Sequence, residues 1–202
     1  MKKLVLFDFD GVLVDTLNIC YTISSEVNEC MDIEEYKKFF EVNINDALRK
    51  DGSKRILNPN FHERFLDNIR KVKIPEILKV TLRDLSKKYK IFIVSSTSTE
   101  TLKHVLAIEE VSQYFTELLG RDVHASKVVK TKMLLEKYNV KPTDAVFITD
   151  TTGDIKEARE CEVESIAVTW GFHEEETLKK ANPAKIINNP EYLLGAIEDM
   201  LK

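Results

Sequence analysis

The 202-residue sequence predicts an α/β fold, with a mainly parallel sheet covered by helices and a small all-helical lobe inserted after the first strand. Three observations predict it. Short apolar runs rich in Val, Ile and Phe recur along the chain. Helical patterns separate them. One stretch near the N-terminus reads as helices with no convincing strand.

The apolar runs place strands at residues 4–9, 91–95, 115–119, 145–149 and 165–170, with a short sixth at 185–187. Continuous apolar runs suit strands buried on both faces. Helices are expected at 75–88, 100–108, 127–138 and 155–161. Asn189 is placed to cap a last helix, with Pro190 at its first position. In the insertion, helices are expected at 22–30, 33–40, 44–50 and 61–72. Asp51-Gly52-Ser53 and Asn58-Pro59-Asn60 read as turns. The expected division is a core of 1–16 and 74–202 and a helical lobe of 17–73.

Composition narrows the function. Hydrophobic residues make up 43% of the chain and charged residues 32%, with a formal net charge of −4. Nothing in that balance attracts nucleic acid or an anionic membrane. A phosphate ligand would need positive charge supplied locally. Cys20, Cys30 and Cys161 have no metal-ligand spacing and read as reduced thiols of a cytoplasmic protein. No apolar stretch approaches the roughly 20 residues that span a bilayer. His62, His104, His124 and His173 show no ligand spacing and read as non-catalytic.

The chemistry gathers where strands end, the place where open α/β sheets bind ligands. The first run closes Phe7-Asp8-Phe9-Asp10-Gly11-Val12-Leu13-Val14-Asp15-Thr16. Asp8 belongs to a hydrophobic strand, where an unpaired carboxylate is costly. Alternation sets Asp8 and Asp10 on one side, and two crowded carboxylates call for a cation or a shared proton. Asp15 reads equally well as a cap for the next helix. The fourth run closes Thr149-Asp150-Thr151-Thr152-Gly153-Asp154. Asp154 also forms a capping-box pattern with Glu157. Asp8, the backbone of Asp10, and Asp150 would offer hard oxygen ligands suited to magnesium.

The second run closes Ser95-Ser96-Thr97-Ser98-Thr99-Glu100. Thr97 and Glu100 form another capping-box pattern, while hydroxyls beside a helix N-terminus also cradle phosphate. Ser95, the first hydroxyl after the strand, is the favoured phosphate ligand. Lys127, at a helix start, opposes the helix dipole and is expected to meet an anion. Lys130 and Lys132 read as solvated, with Lys130 the alternative to Lys127.

These strings resemble the haloacid dehalogenase-like superfamily of phosphohydrolases, in the branch of phosphoglycolate phosphatase and β-phosphoglucomutase. The first string is similar to the first family motif, Ile93-Val94-Ser95-Ser96 to the second, Lys127 to the third and Asp150-Thr151-Thr152-Gly153-Asp154 to the fourth. Val168-Thr169-Trp170-Gly171-Phe172 resembles the segment that follows. Two departures stand out: Lys127-Val128 where Lys-Pro is common, and Thr149-Asp150 where Gly-Asp is commoner.

The resemblance implies a Rossmann-like core with a helical cap, and a Mg2+-dependent phosphatase forming an aspartyl-phosphate on Asp8. It implies Asp10 as general acid and base, with Ser95, Ser96 and Lys127 on the phosphate. Asp8, Asp10 and Asp150 would ligate the metal, with Asp154 beside them. The expected partner is a small phosphorylated metabolite, and the expected state a monomer or small homo-oligomer. Dehalogenases and phosphonate-cleaving relatives lack the acid at Asp10. Sugar phosphomutases carry a histidine where this chain has Cys20, which favours hydrolysis. From another class, a phospho-acceptor receiver module also uses an aspartate, a metal and a lysine, but lacks the Asp8–Asp10 pair and the inserted helices. Asn43, Asn45, Arg49 and Lys50 are candidates to reach the site from the insertion.

Overall fold

The computed structural model describes residues 3–28, 31–42 and 58–202. Six parallel strands form one sheet: β1 (Leu4–Phe7), β2 (Lys90–Val94), β3 (Phe115–Leu119), β4 (Ala145–Thr149), β5 (Glu164–Val168) and β6 (Lys185–Ile187). Their order is β3-β2-β1-β4-β5-β6. The first strand is therefore central, with β2 and β4 on its two sides. Strand order reverses here, so the crevice at its carboxyl end is where the topology opens a site.

Alternation along the strands sorts the core into two layers. Val5, Phe7, Ile91, Ile93, Val146 and Ile148 face one way. They pack on Leu78 and Leu82 of α4 (Glu76–Lys88), Leu102 and Leu106 of α5 (Thr99–Ile108), and Ile197 of α9 (Leu193–Met200). Leu4, Leu6, Phe92, Val94 and Phe147 face the other way. They meet Leu134 of α6 (Lys127–Tyr138) and Ala158 of α7 (Thr152–Glu160). Each such fully buried side chain stabilises the fold by about 2 kcal/mol relative to leaving it exposed.

Between β1 and α4 the chain forms α1 (Leu17–Ser25), α2 (Ile33–Lys38) and α3 (Phe61–Ile69), with a 3-10 turn at Phe39–Glu41. No strand occurs among the described residues of this stretch. Asn58 joins its parts. Its side-chain amide donates to the Ile23 carbonyl at 2.8 Å, and its oxygen accepts from the Asn60 amide at 3.0 Å. Glu109 ties the exit from the insertion to the core. It accepts from the Ile74 amide at 3.1 Å and pairs with Lys73 and Lys79 at 3.0 and 2.9 Å.

Several expectations need correcting. The first inserted helix begins at Leu17, five residues before the predicted start, and ends at Ser25. Its N-cap position is Thr16, and Asp15 is exposed. β1 stops at Phe7 because Gly11 and Val14 turn the chain back. Gly11 has φ +72°, and its amide donates to the Val14 carbonyl at 2.8 Å. A further helix, α8 (Glu175–Lys180), was not foreseen. The predicted helix 44–50 and the turn at Asp51-Gly52-Ser53 lie outside the described residues, as do Asn43, Asn45, Arg49, Lys50 and Cys30. Cys20 and Cys161 are buried free thiols. Among the described residues, no helix is long and apolar enough to cross a membrane.

Candidate active site

Asp8 follows β1, and its alternation with Leu4 and Leu6 turns it toward α6 and α7. One carboxylate oxygen accepts from the Phe9 amide at 2.7 Å, and the other meets Lys127 Nζ at 2.9 Å. Lys127 opens α6, and its ammonium also donates to Asp154 Oδ2 at 2.6 Å. The helix start tolerates that lysine because Glu157, from α7, accepts from the Lys127 amide at 3.0 Å and balances the dipole. Asp8, Lys127, Asp150 and Asp154 are all buried.

Burial raises the Asp8 carboxyl well above the ordinary range, and Lys127 pulls against that while Asp154, Asp150 and Asp10 add to it. Burial also lifts Asp150, to about 7, although the Phe172 amide donates to its Oδ2 at 2.7 Å. Burial works against the charge on Asp154 too, but Lys127 and neighbouring hydrogen bonds hold its carboxyl below the usual value. For Lys127, burial is outweighed by Asp154 and Asp8, and the ammonium is held above its ordinary pKa. Four carboxylates thus share a pocket with one lysine, whose ammonium pairs with two of them and keeps a third N–H for a further acceptor.

Asp10 takes different partners. Thr16 Oγ1 donates to its Oδ1 at 2.9 Å, Thr97 Oγ1 to its Oδ2 at 2.6 Å, and Ser95 Oγ lies 3.4 Å from Oδ2. Burial raises this carboxyl, and the Thr97 and Thr16 hydroxyls lower it. Ser95 follows β2 and is wholly buried, with its hydroxyl accepting from the Thr97 amide at 2.9 Å. Ser96 beside it is half-buried. Asp8, Asp10, Ser95, Lys127, Asp150 and Asp154 therefore meet at the carboxyl ends of β1, β2 and β4.

The structure reassigns two capping patterns. Ser98, not Thr97, caps α5, which releases the Thr97 hydroxyl to Asp10. Thr151, not Asp154, caps α7, and Glu157 serves the neighbouring helix. Thr149, where a glycine is commoner, donates to Asp154 Oδ2 at 2.8 Å and accepts from the Thr151 amide at 3.1 Å. Lys130 is not solvated: it is wholly buried, and its Nζ donates to the Ser95 carbonyl at 2.5 Å.

His173 also has a structural task. Its Nδ1 accepts from the Thr152 amide at 3.1 Å, so Nε2 carries the proton and faces the Lys37 carbonyl at 2.9 Å. Phe40 meets Phe172 edge-on at 4.8 Å between ring centres, and Lys156 donates to the Glu41 carbonyl at 2.8 Å. Residues 37–42 of the insertion are thereby held against the strand-end loops. The hydroxyls of Thr16 and Thr97 left a faint signal in sequence, two more threonines in the same strings. The partners of His173 and Lys130 left none.

Among the described residues, no three acidic, histidine or cysteine side chains form a metal-holding group by themselves. A set of two carboxylates and a backbone oxygen is a different matter. Asp150 Oδ1 is buried with no hydrogen-bond partner. A β-carbon on Gly11 would collide with the Asp150 carboxylate, so the chain after β1 lies directly against it. A divalent cation would fit that orphaned oxygen and the surplus of negative charge.

A family model for haloacid dehalogenase-like hydrolases matches residues 5–168, which carry Asp8, Asp10, Ser95, Lys127, Asp150 and Asp154. The chain belongs to that family. It is 23% identical to a phosphoglycolate phosphatase of Synechococcus elongatus, over 98% of each chain. It is likewise 23% identical to a pyrophosphatase of Bacillus cereus, over 97% of this chain and 96% of that one. A haloacid dehalogenase-like hydrolase from Streptococcus pneumoniae shares the fold with a TM-score of 0.79 at 21% identity, covering 97% of this chain and 98% of its own. This family member is an enzyme, a hydrolase whose matched relatives include phosphatases and pyrophosphatases.

Proposed function

We propose that this hydrolase is a magnesium-dependent phosphatase acting on a small phosphomonoester through an aspartyl-phosphate on Asp8. The observation that carries the reading is the Asp8 carboxylate, whose Oδ2 is 2.9 Å from the ammonium of Lys127, in a pocket shared with Asp150, Asp154 and Asp10. An oxygen of Asp8 attacks phosphorus while the bond to the leaving oxygen breaks. Asp10, whose carboxyl is raised by burial, gives that oxygen its proton. Asp10 then takes a proton from water, the resulting hydroxide attacks phosphorus, and phosphate leaves with Asp8 restored. The hydroxyl of Ser95, the amide of Ser96 and the ammonium of Lys127 hold the phosphoryl oxygens.

Asp8, the Asp10 carbonyl and Asp150 hold Mg2+ in this reading, with Asp154 beside them fixing Lys127. The metal supplies charge neutralisation on the transferring group. Residues 17–73 act as a cap over a core of 1–16 and 74–202, which accounts for the seam between residues 37–42 and the strand-end loops. Hydrolysis is favoured over phosphomutase shuttling because Cys20 is a poor proton carrier. Burial and the nearby Asp10 raise its thiol well above the usual range.

The names of the relatives nominate phosphoglycolate first and inorganic pyrophosphate second as substrates. A panel of phosphorylated metabolites, assayed for phosphate release with Mg2+ and after chelation by EDTA, tests the reading. Turnover of at least one monoester that EDTA abolishes is expected. Phosphate release that EDTA leaves unchanged would sink it.

A further inference from the structure

Lys130 is a wholly buried lysine one helical turn beyond Lys127, and the catalytic scheme above does not employ it. Its ammonium donates to the Ser95 carbonyl at 2.5 Å and lies 3.4 Å from the Gly120 carbonyl. Those carbonyls follow β2 and β3, so the side chain ties two strand ends together from inside the sheet layer. A leucine or methionine would fill such a space without the penalty of an interior charge. Burial, and then Lys127, lower its pKa to about 8, while Asp8, Asp154 and Glu157 hold it up. The ammonium therefore persists at neutral pH.

The peptide that follows Ser95 is trans, since the described chain has no cis bonds. In a trans peptide the carbonyl and the next amide point in opposite directions. A carbonyl of Ser95 drawn to Lys130 therefore turns the Ser96 N–H away from Lys130. The next amide, that of Thr97, is already bound to Ser95 Oγ at 2.9 Å, which fixes the other end of this short loop.

We propose that Lys130 is a positioning residue for phosphate: by gripping the Ser95 carbonyl it aims the Ser96 amide into the anion pocket and sets a second positive charge beneath it. The inference rests on the phosphatase reading of the site and adds a residue to it. Lys130 itself does not touch the substrate, which separates its role from that of Lys127. It also accounts for a lysine whose burial works against stability.

The test compares Lys130→Met and Lys130→Gln with the parent protein. Readouts are kcat/KM for the parent's best phosphomonoester, inhibition by orthovanadate, the Mg2+ concentration giving half-maximal rate, and Tm. For Lys130→Met, kcat/KM and vanadate affinity should each fall about 30-fold, less than the roughly 10²–10³-fold known for outright loss of an oxyanion donor, because the Ser96 amide is misaimed rather than removed. The Mg2+ requirement should stay within about twofold and Tm should not fall, because an interior charge has gone. Lys130→Gln, which keeps a donor but no charge, should recover part of the vanadate affinity. If either folded variant binds vanadate within about twofold of the parent, the proposal is overturned. Should both variants fail to fold, the Lys130 15Nζ resonance of the parent must shift on vanadate binding, and an unmoved resonance overturns it. An active parent with an indifferent Lys130→Met sinks this inference alone. A parent that releases no phosphate from any monoester with Mg2+ sinks the site reading and this inference together.

Discussion

The two halves of the strand-end pocket are built on opposite electrostatic plans. On the β1–β4 side, Asp8 and Asp154 pair with the ammonium of Lys127, Asp150 lies close by, and its Oδ1 is left with no hydrogen-bond partner. On the β1–β2 side, one carboxylate, Asp10, is held by the neutral hydroxyls of Thr16 and Thr97, with Ser95 nearby. The first half has more negative charge than its protein partners neutralise. The second is nearly self-sufficient. A pocket that lacks positive charge on one side suits a cation and a transferring anion together. A carboxyl fixed by hydroxyls can gain and lose a proton without rebuilding its surroundings.

The difference can be broken by substitution, and the largest effect is expected on the charged side. Asp8→Asn should lower phosphate release by about 10³-fold or more, since it removes the nucleophile. Its Tm should match or exceed the parent's, because one of several crowded carboxylates has been neutralised. Activity above about a tenth of the parent's in a folded variant would remove Asp8 from the mechanism.

Next comes the lysine beneath the hydroxyl side. Lys130 has a folded pKa of about 8 against an ordinary 10.5. The unfolded chain therefore binds more protons than the folded one between those values, and stability rises with pH across that window. Relative to Lys130→Met, the parent should gain about 3 kcal/mol between roughly pH 7 and pH 10.5. Urea unfolding of both proteins at the two pH values measures the gain. A stability gap that does not change with pH would mean that the ammonium is not strained by burial.

The seam between insertion and core gives the third effect. A β-carbon on Gly153 would lie 2.6 Å from the Val42 carbonyl oxygen and 2.8 Å from that of Phe40. Gly153→Ala should therefore cost about 2 kcal/mol in urea unfolding, as the turn is pushed off α7. Parent-like stability would mean that the seam yields freely. The smallest effect is expected where neutral groups share the work. Thr97→Val removes one of two short hydroxyl bonds to Asp10 and should lower kcat about tenfold with the Mg2+ requirement unchanged. Unchanged kcat would show that Thr16 alone positions the carboxyl.

Much of this molecule is legible in its sequence. The strand runs lie within a residue or two of their observed bounds, because a strand buried on both faces must be continuously apolar. Asp8 and Asp150 stood out because a carboxylate at the end of such a run demands a partner. Local patterns misled where two partners compete for one side chain. Thr97 and Asp154 both match capping spacings, yet Ser98 and Thr151 take the caps and leave them to the pocket. Spacing along the chain states what a side chain can reach locally and is silent about what arrives from another strand.

By itself, then, the sequence determined the layered α/β architecture, the helical character of the described part of the insertion and the strand ends that carry the acids, because periodicity and burial are properties of neighbours in the chain. Tertiary structure alone decided that Lys127 sits between Asp8 and Asp154, that Lys130 is interior rather than solvated, and that His173 bridges Thr152 and Lys37. Each of these pairs groups from different elements, 21 to 136 residues apart for the hydrogen bonds of His173 and of Lys127 to Asp154. The fate of a charged side chain depends on which distant oxygen or ammonium the folded chain brings to it.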